Sequence, residues 1–172
     1  RELTDILVSS GGGGFSTFKA IVEAGIRIVS AFRSLYKIGY SYQDMNSGNF
    51  FINTQTGAVL ICDNDNVAPN ETYTGIIGTP QYMAPEIVIG ESKPNTHTDE
   101  FSLAVVLFML LCANHPLEGK HWTVPCLTPA LEKRLYGSDA LFIFDLNEVF
   151  KLKPLLYLIQ NKWIFYFSIF CK

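Results

Sequence analysis

The sequence predicts an α+β fold that is mainly helical, with one small β-hairpin. Three observations predict it. Apolar residues recur at helical spacing over residues 18–35. Residues 101–113 are apolar almost throughout, with Ser102 the main exception, which suits a helix buried on all sides. Between these stretches, two short apolar runs at 50–52 and 58–62 flank the turn Thr54-Gln55-Thr56-Gly57, the signature of a β-hairpin.

The chain opens with a short apolar patch at 6–8, then Ser9-Ser10 and four glycines at 11–14. A phosphate-cradling Gly-x-Gly-x-x-Gly fails here, because Ser16 stands where the last glycine belongs and no useful strand precedes it. A flexible loop before a helix is the expectation. Ser16 or Thr17 caps that helix. Phe18, Ile21, Val22, Ile28, Val29, Phe32 and Leu35 give it helical periodicity. It is expected to be mostly buried, to run to about Tyr36 and to end near Gly39. The small residues Ala24, Gly25 and Ala31 permit close packing on its other faces.

The helix delivers the chain to a loop at residue 42 and then to the hairpin. Antiparallel pairing brings residues equally far from the turn together. Asn49 and Asp63 are therefore expected side by side, with Asp44 a few residues upstream. Two carboxylates and an amide converging on one spot suit a hard cation that prefers oxygen. Taken alone, Asp44, Asn46 and Asn49 also read as ordinary turn formers.

Residues 63–73 are polar and turn-rich. Pro85 suits the first turn of a short helix, Glu86 favours its positive N-terminal end, and Gly90 stops it. After a polar loop at 91–98, Thr98 or Asp99 begins the apolar helix, and Asn114-His115-Pro116 ends it. At 13 residues that helix is too short for a bilayer, which needs about 20. Residues 127–136 read as a short helix and 141–144 as a strand or loop. The tail carries apolar runs at 155–159 and 163–170, split by Gln160-Asn161-Lys162. The polar triplet argues against a membrane anchor and for a core-packing or non-native tail. The expected organisation is one partial domain over 1–150 and an atypical tail over 151–172.

Composition narrows the classes. With 172 residues, 48% hydrophobic and 17% charged, the chain suits one soluble domain or part of a larger one. A net charge of −3 without a long run of either sign leaves no nucleic-acid footprint. Cys62, Cys112, Cys126 and Cys171 are widely spaced, as reduced cytoplasmic thiols are. No basic-then-apolar leader opens the chain, and Arg1 at the first position suggests a true start further upstream. Asn70-Glu71-Thr72 fits a glycosylation acceptor by pattern alone. A calcium loop counted from Asp63 fails, because Ala68 and Thr74 stand where glycine and glutamate belong. His97, His115, His121 and Cys126 lack a recognised zinc spacing. Met83 and Met109 read as packing residues.

Several segments, in order and spacing, resemble the C-terminal lobe of eukaryotic-like protein kinases. The catalytic loop His-Arg-Asp-x-x-x-x-Asn appears as Tyr42-Gln43-Asp44-x-x-x-x-Asn49. The metal motif Asp-Phe-Gly appears as Asp63-Asn64-Asp65. Ala84-Pro85-Glu86 is an intact Ala-Pro-Glu, preceded by Gly78-Thr79. Asp99-Glu100-Phe101-Ser102-Leu103-Ala104-Val105 resembles the segment that opens a buried helix in the family, and His115-Pro116-Leu117-Glu118-Gly119 resembles the turn after it. The spellings Ile-Cys-Asp-Asn-Asp-Asn-Val and His-Pro-Leu-Glu-Gly-Lys resemble a divergent set of bacterial serine/threonine kinases.

The resemblance implies a role for each position. Asp44 matches the aspartate that accepts or orients the substrate hydroxyl proton. Asn49 matches the asparagine that holds a Mg²⁺ ion, and Asp63 the aspartate that bridges Mg²⁺ to the nucleotide phosphates. Thr79 matches a threonine bonded to the catalytic aspartate. Glu86 matches an ion-pair anchor, and Asp99 an acceptor for catalytic-loop amides. The implied reaction is transfer of the γ-phosphoryl group of ATP to a hydroxyl of a protein substrate. The expected setting is cytoplasmic, with neither nucleic acid nor membrane as a partner. A pseudokinase acting as a scaffold is the alternative. A small-molecule phosphotransferase is a third reading, disfavoured by the intact Ala84-Pro85-Glu86.

The departures shape these expectations. Gln43 replaces the arginine that would clasp an activating phosphate, so dependence on that phosphate is not expected. Asn46 stands where a lysine would steady the γ-phosphate, and Asn64-Asp65 replaces Phe-Gly. No Gly-rich loop and no Val-Ala-x-Lys strand precede residue 16, and Lys19 lies in the wrong element. The N-terminal lobe is thus expected to be absent, and the chain truncated at its start and out of frame or rearranged at its end. Such a fragment is expected to be inactive alone, to bind ATP poorly and to expose apolar surface.

Overall fold

The computed structural model describes residues 1–8, 14–119 and 126–143. Glycines 11–13, His121, residue 144 and the tail at 151–172 lie outside the described residues. Helix α1 (Leu3–Val8) occupies the patch that the sequence marks only as apolar. Six residues hold too little periodicity to read as a helix. Leu3 and Ile6 bury its inner side. Just before it the chain joins the hairpin, with the Ile52 N–H donating to the Arg1 carbonyl at 2.7 Å.

Helix α2 (Phe18–Lys37) begins on Thr17, whose Oγ1 accepts the Ala20 N–H at 3.2 Å. It ends before Gly39, which takes the left-handed φ of +81° that glycine adopts without strain. Its buried stripe is Ala20, Ala24, Ile28 and Phe32, spaced four apart. This corrects the sequence expectation of a mostly buried helix. Phe18 and Val29 are 53% and 37% exposed, and of the small residues Ala20 and Ala24 face inward while Ala31 is exposed. The reason is close approach: the hairpin turn lies on α2, and a Cβ on Gly57 would sit 2.4 Å from the Ala20 carbonyl oxygen.

Strand β1 (Tyr40–Ser41) pairs antiparallel with β4 (Ala68–Pro69). Strands β2 (Phe50–Ile52) and β3 (Val59–Ile61) form the hairpin, with Phe50 opposite Ile61 and Ile52 opposite Val59. The second strand is one residue shorter at each end than its apolar run. Phe50 and Ile52 point into the core, while Phe51 and Leu60 face outward.

Helix α3 (Pro85–Ile89) ends on Gly90 at a left-handed φ of +85°. Helix α4 (Thr96–Cys112) starts earlier than Thr98 or Asp99. Asn95 is its cap, accepting the His97 and Thr98 N–H groups, while the Asn95 N–H donates to Thr98 Oγ1. This reciprocal capping box fixes the start. Residues 127–136, read as one short helix, divide into α5 (Pro129–Lys133) and a π-helical turn, Arg134–Ser138.

The core gathers α1, α2, α4 and the inner face of the hairpin, with Ile28, Val105, Val106 and Leu110 among its members. Phe32 stands edge-on to Tyr42 at 5.3 Å between ring centroids and tilted against Phe50 at 6.1 Å. These contacts tie α2 to the loop that follows it. Among the described residues, no helix is long and apolar enough to cross a membrane.

Candidate functional site

The loop from Tyr42 to Asn49 is built from α4 upward. Asp99, in the first turn of α4, is 3% exposed. Its Oδ2 accepts the Tyr42 N–H at 2.5 Å and its Oδ1 the Gln43 N–H at 3.0 Å. Burial pushes its pKa up to about 6, against the two donors that pull it down. The contact holds Gln43 in the left-handed region, at φ +69°. Tyr42 is buried beneath the loop, and its hydroxyl donates to the Cys62 carbonyl, binding the loop to the hairpin. Burial raises the Tyr42 pKa, and the hydroxyl stays protonated.

Asp44 follows at the partly exposed end of this loop. Its carbonyl accepts the Asn49 Nδ2 at 2.9 Å and, more weakly, the Asn46 Nδ2 at 3.5 Å. Its carboxylate accepts the Thr79 hydroxyl at 3.3 Å on Oδ1. Asn46 Oδ1 accepts the Gly48 N–H at 2.9 Å and so caps the short 3₁₀ turn Ser47–Asn49. Asn49 is buried. Its amide NH₂ is committed to Asp44, which leaves Oδ1 as the atom a cation can meet.

The hairpin joins Asn49 to Asp63 through one rung, the Cys62 N–H donating to the Asn49 carbonyl at 2.9 Å. Asp63 is the next residue. Its φ of +55° turns it out of the strand line, and its carboxylate is exposed. Asp65 is exposed nearby. Among the described residues, no three His, Cys, Asp or Glu side chains assemble as a metal site. One amide and one or two carboxylates are too few to strip a Mg²⁺ ion of its water. They suit an ion that arrives with phosphate oxygens.

Asp44, Asn46, Asn49 and Thr79 are thus hydrogen-bonded together, and Asp99 supports them through the loop backbone. Asp63 adjoins them through the hairpin and makes no hydrogen bond to them. Glu86 stands apart, half-buried in the first turn of α3. Its carbonyl accepts the Glu91 N–H at 2.8 Å, and its carboxylate has no ion-pair partner among the described residues. An open cleft of about 400 Å³ adjoins Asn46 and Thr79 and is walled by Leu7, Tyr82 and Met109. Asn49 and Asp63 lie outside it.

Further contacts at the site carry no sequence signal, because most of their partners are far apart in the chain. The Tyr82 hydroxyl donates to Ser47 Oγ at 2.8 Å, and Ser47 Oγ lies 2.8 Å from Thr4 Oγ1. His115, buried, has Nε2 2.8 Å from the Gln81 carbonyl and accepts the Leu117 N–H on Nδ1 at 3.2 Å. A carbonyl only accepts, so Nε2 carries the proton. Burial lowers the His115 pKa. The Gln43 side chain reaches Ser41, Thr72 and Thr74.

Comparison with known proteins gives the family and the fold. Residues 2–128 match the family model described as the protein kinase domain. Calcium-dependent protein kinase 20 of Oryza sativa subsp. japonica is 32% identical over 120 residues, covering 67% of this chain and 21% of that protein. Calcium-dependent protein kinase 5 of Plasmodium falciparum is 30% identical over 151 residues, covering 85% of this chain and 24% of that protein. The chain thus spans less than a quarter of the length of these relatives. A crystal structure of the yeast RNA Pol II CTD kinase CTDK-1 complex matches with a TM-score of 0.60 and 17% identity, over 78% of this chain and 42% of that one. That likeness is one of fold.

Proposed function

The chain belongs to the protein kinase domain family, and from this premise we propose that it is the C-terminal-lobe part of a serine/threonine protein kinase. The proposed reaction moves the γ-phosphoryl group of ATP to a hydroxyl of a protein substrate. Asp44 accepts the hydrogen bond, and then the proton, of the incoming hydroxyl. Thr79 and Asn49 hold Asp44 in place. The Asn49 amide oxygen and the Asp63 carboxylate are the groups that would hold Mg²⁺. When bound, the ion offsets charge on the phosphate oxygens. The single observation that carries this reading is the joining of Asp44 to both Thr79 and Asn49. The bacterial affinity rests on motif spelling alone, and a cytoplasmic setting on cysteine usage.

One observation favours the scaffold alternative. Asn46 Oδ1 is used to cap Gly48, and its amide is neutral, so the position brings no cation toward a γ-phosphate. Nucleotide binding separates the readings. The full-length protein is expected to bind ATP with Mg²⁺ and to lose about tenfold in affinity in Asp63→Asn, as removal of one charge-assisted contact predicts. Without Mg²⁺ the two proteins should bind alike. Equal affinity with Mg²⁺ present would overturn the metal role and favour the scaffold.

A further inference from the structure

Segment 72–79 runs from Thr72 to the Thr79 that meets Asp44, and the Gln43 side chain bonds it at two points. Gln43 Nε2 donates to the Thr72 carbonyl at 2.7 Å and to Ser41 Oγ at 3.0 Å. The Thr74 hydroxyl donates to Gln43 Oε1 at 3.2 Å. The orientation of the amide follows from chemistry: a carbonyl cannot donate, so the NH₂ faces Thr72 and the oxygen is left for Thr74. The Gln43 carbonyl lies against Gly78, where an added Cβ would stand 3.1 Å from it. Gln43 itself is 5% exposed and fixed by Asp99 through its backbone. Both ends of its side chain are therefore in use, and it has no further donor to offer.

Between these contacts the segment has little to hold it. Gly75 and Gly78 have φ of +96° and +99°, and Tyr73, Ile76 and Ile77 are 43%, 42% and 52% exposed. Its position thus depends on residue 43 and on the Thr79–Asp44 bond.

We propose that Gln43 is a positioning residue, a neutral clasp that sets segment 72–79 beside Asp44, and that a negative charge added at Thr74 opens the clasp. The proposal rests on the kinase reading above and adds the sign of its regulation. A phosphate or carboxylate at Thr74 removes the hydroxyl donor and sets an anion against Gln43 Oε1, an acceptor. A cationic residue at position 43 would reverse the sign, since a guanidinium pairs with an anion.

The experiment compares Thr74→Val, Thr74→Glu and the pair Thr74→Glu/Gln43→Arg in the full-length protein. Position 74 is exposed, so its single substitutions leave the core untouched. Two readings are taken: amide hydrogen exchange over residues 75–79, and the KM for dephosphorylated casein beside the KM for ATP. Loss of one hydrogen bond in Thr74→Val should raise exchange and casein KM about fivefold. Thr74→Glu should exceed this, leave the KM for ATP unchanged, and return toward wild type in the double variant. Exchange in Thr74→Glu that is unchanged or slower than wild type would overturn the clasp. Exchange needs no turnover, so a protein without phosphoryl transfer that still loosens in Thr74→Glu would sink the kinase reading and leave the clasp standing.

Discussion

At position 99 a carboxylate is almost wholly enclosed, yet it accepts two backbone N–H groups. Burial outweighs those donors and lifts its pKa from an ordinary 3.8 to about 6. The native acid therefore holds its proton more tightly than the unfolded one. The stability this group contributes is complete below about pH 3.8 and is lost as pH rises through about 6. The loss is on the order of 3 kcal/mol. Asp99→Asn removes that dependence. It lacks one acceptor at every pH, which is a constant offset. Urea unfolding at pH 4, 5.5 and 7 should show the difference between wild type and variant shifting toward the variant as pH rises. A shift toward wild type would contradict the account. Motif order singled out Asp44, Asn49, Thr79 and Asp99, which hydrogen bonds link through one loop, and Asp63, which makes no hydrogen bond to them. The Gln43 contacts were not legible in the sequence, because a substituted residue shows what it lacks and not what it binds instead.

The hairpin turn shows what one element asks of another. Gly57 has φ +69°, and a Cβ there would meet the Ala20 carbonyl at 2.4 Å and the Ala24 nitrogen at 2.9 Å. Gly57→Ala adds backbone strain and pushes the turn off α2, an expected cost of about 2–4 kcal/mol. Gly75 also has a positive φ but nothing within 4 Å of an added Cβ. Gly75→Ala should cost the strain alone, about 1–2 kcal/mol. Denaturant midpoints of the two variants check this, and equal losses would refute the docking of the turn on α2. The hairpin was legible from its turn and flanking apolar runs. Its docking face was not, since Ala20 and Ala24 add little to an apolar pattern. The two-residue strands β1 and β4 also escaped, because so short a pairing has no period. The start of α4 was misplaced because Asn95 lies in a polar loop and caps from outside the apolar run.

Across the whole molecule, one aromatic joins the helices to the site. Phe32 is 2% exposed and packs against Tyr36, Tyr42 and Phe50. Phe32→Ala should cost about 3–5 kcal/mol, whereas Leu60→Ser, at a 63% exposed position, should stay within about 0.5 kcal/mol. Thermal unfolding of both variants tests whether the core lies where the helices and inner hairpin face meet. The mainly helical class was legible because its two long helices are marked by apolar residues. The place of α1 against the hairpin was not, because long-range pairing of Arg1 and Ile52 leaves no trace in either segment alone. The central claim is that this assembly presents Asp44 to a substrate hydroxyl. Its most direct test is transfer of radiolabelled γ-phosphate from ATP to dephosphorylated casein by the full-length protein with Mg²⁺, beside Asp44→Asn. The account predicts transfer by wild type and a fall of at least about 100-fold in kcat for Asp44→Asn, the scale of a lost general base. Equal rates in the two proteins would contradict it.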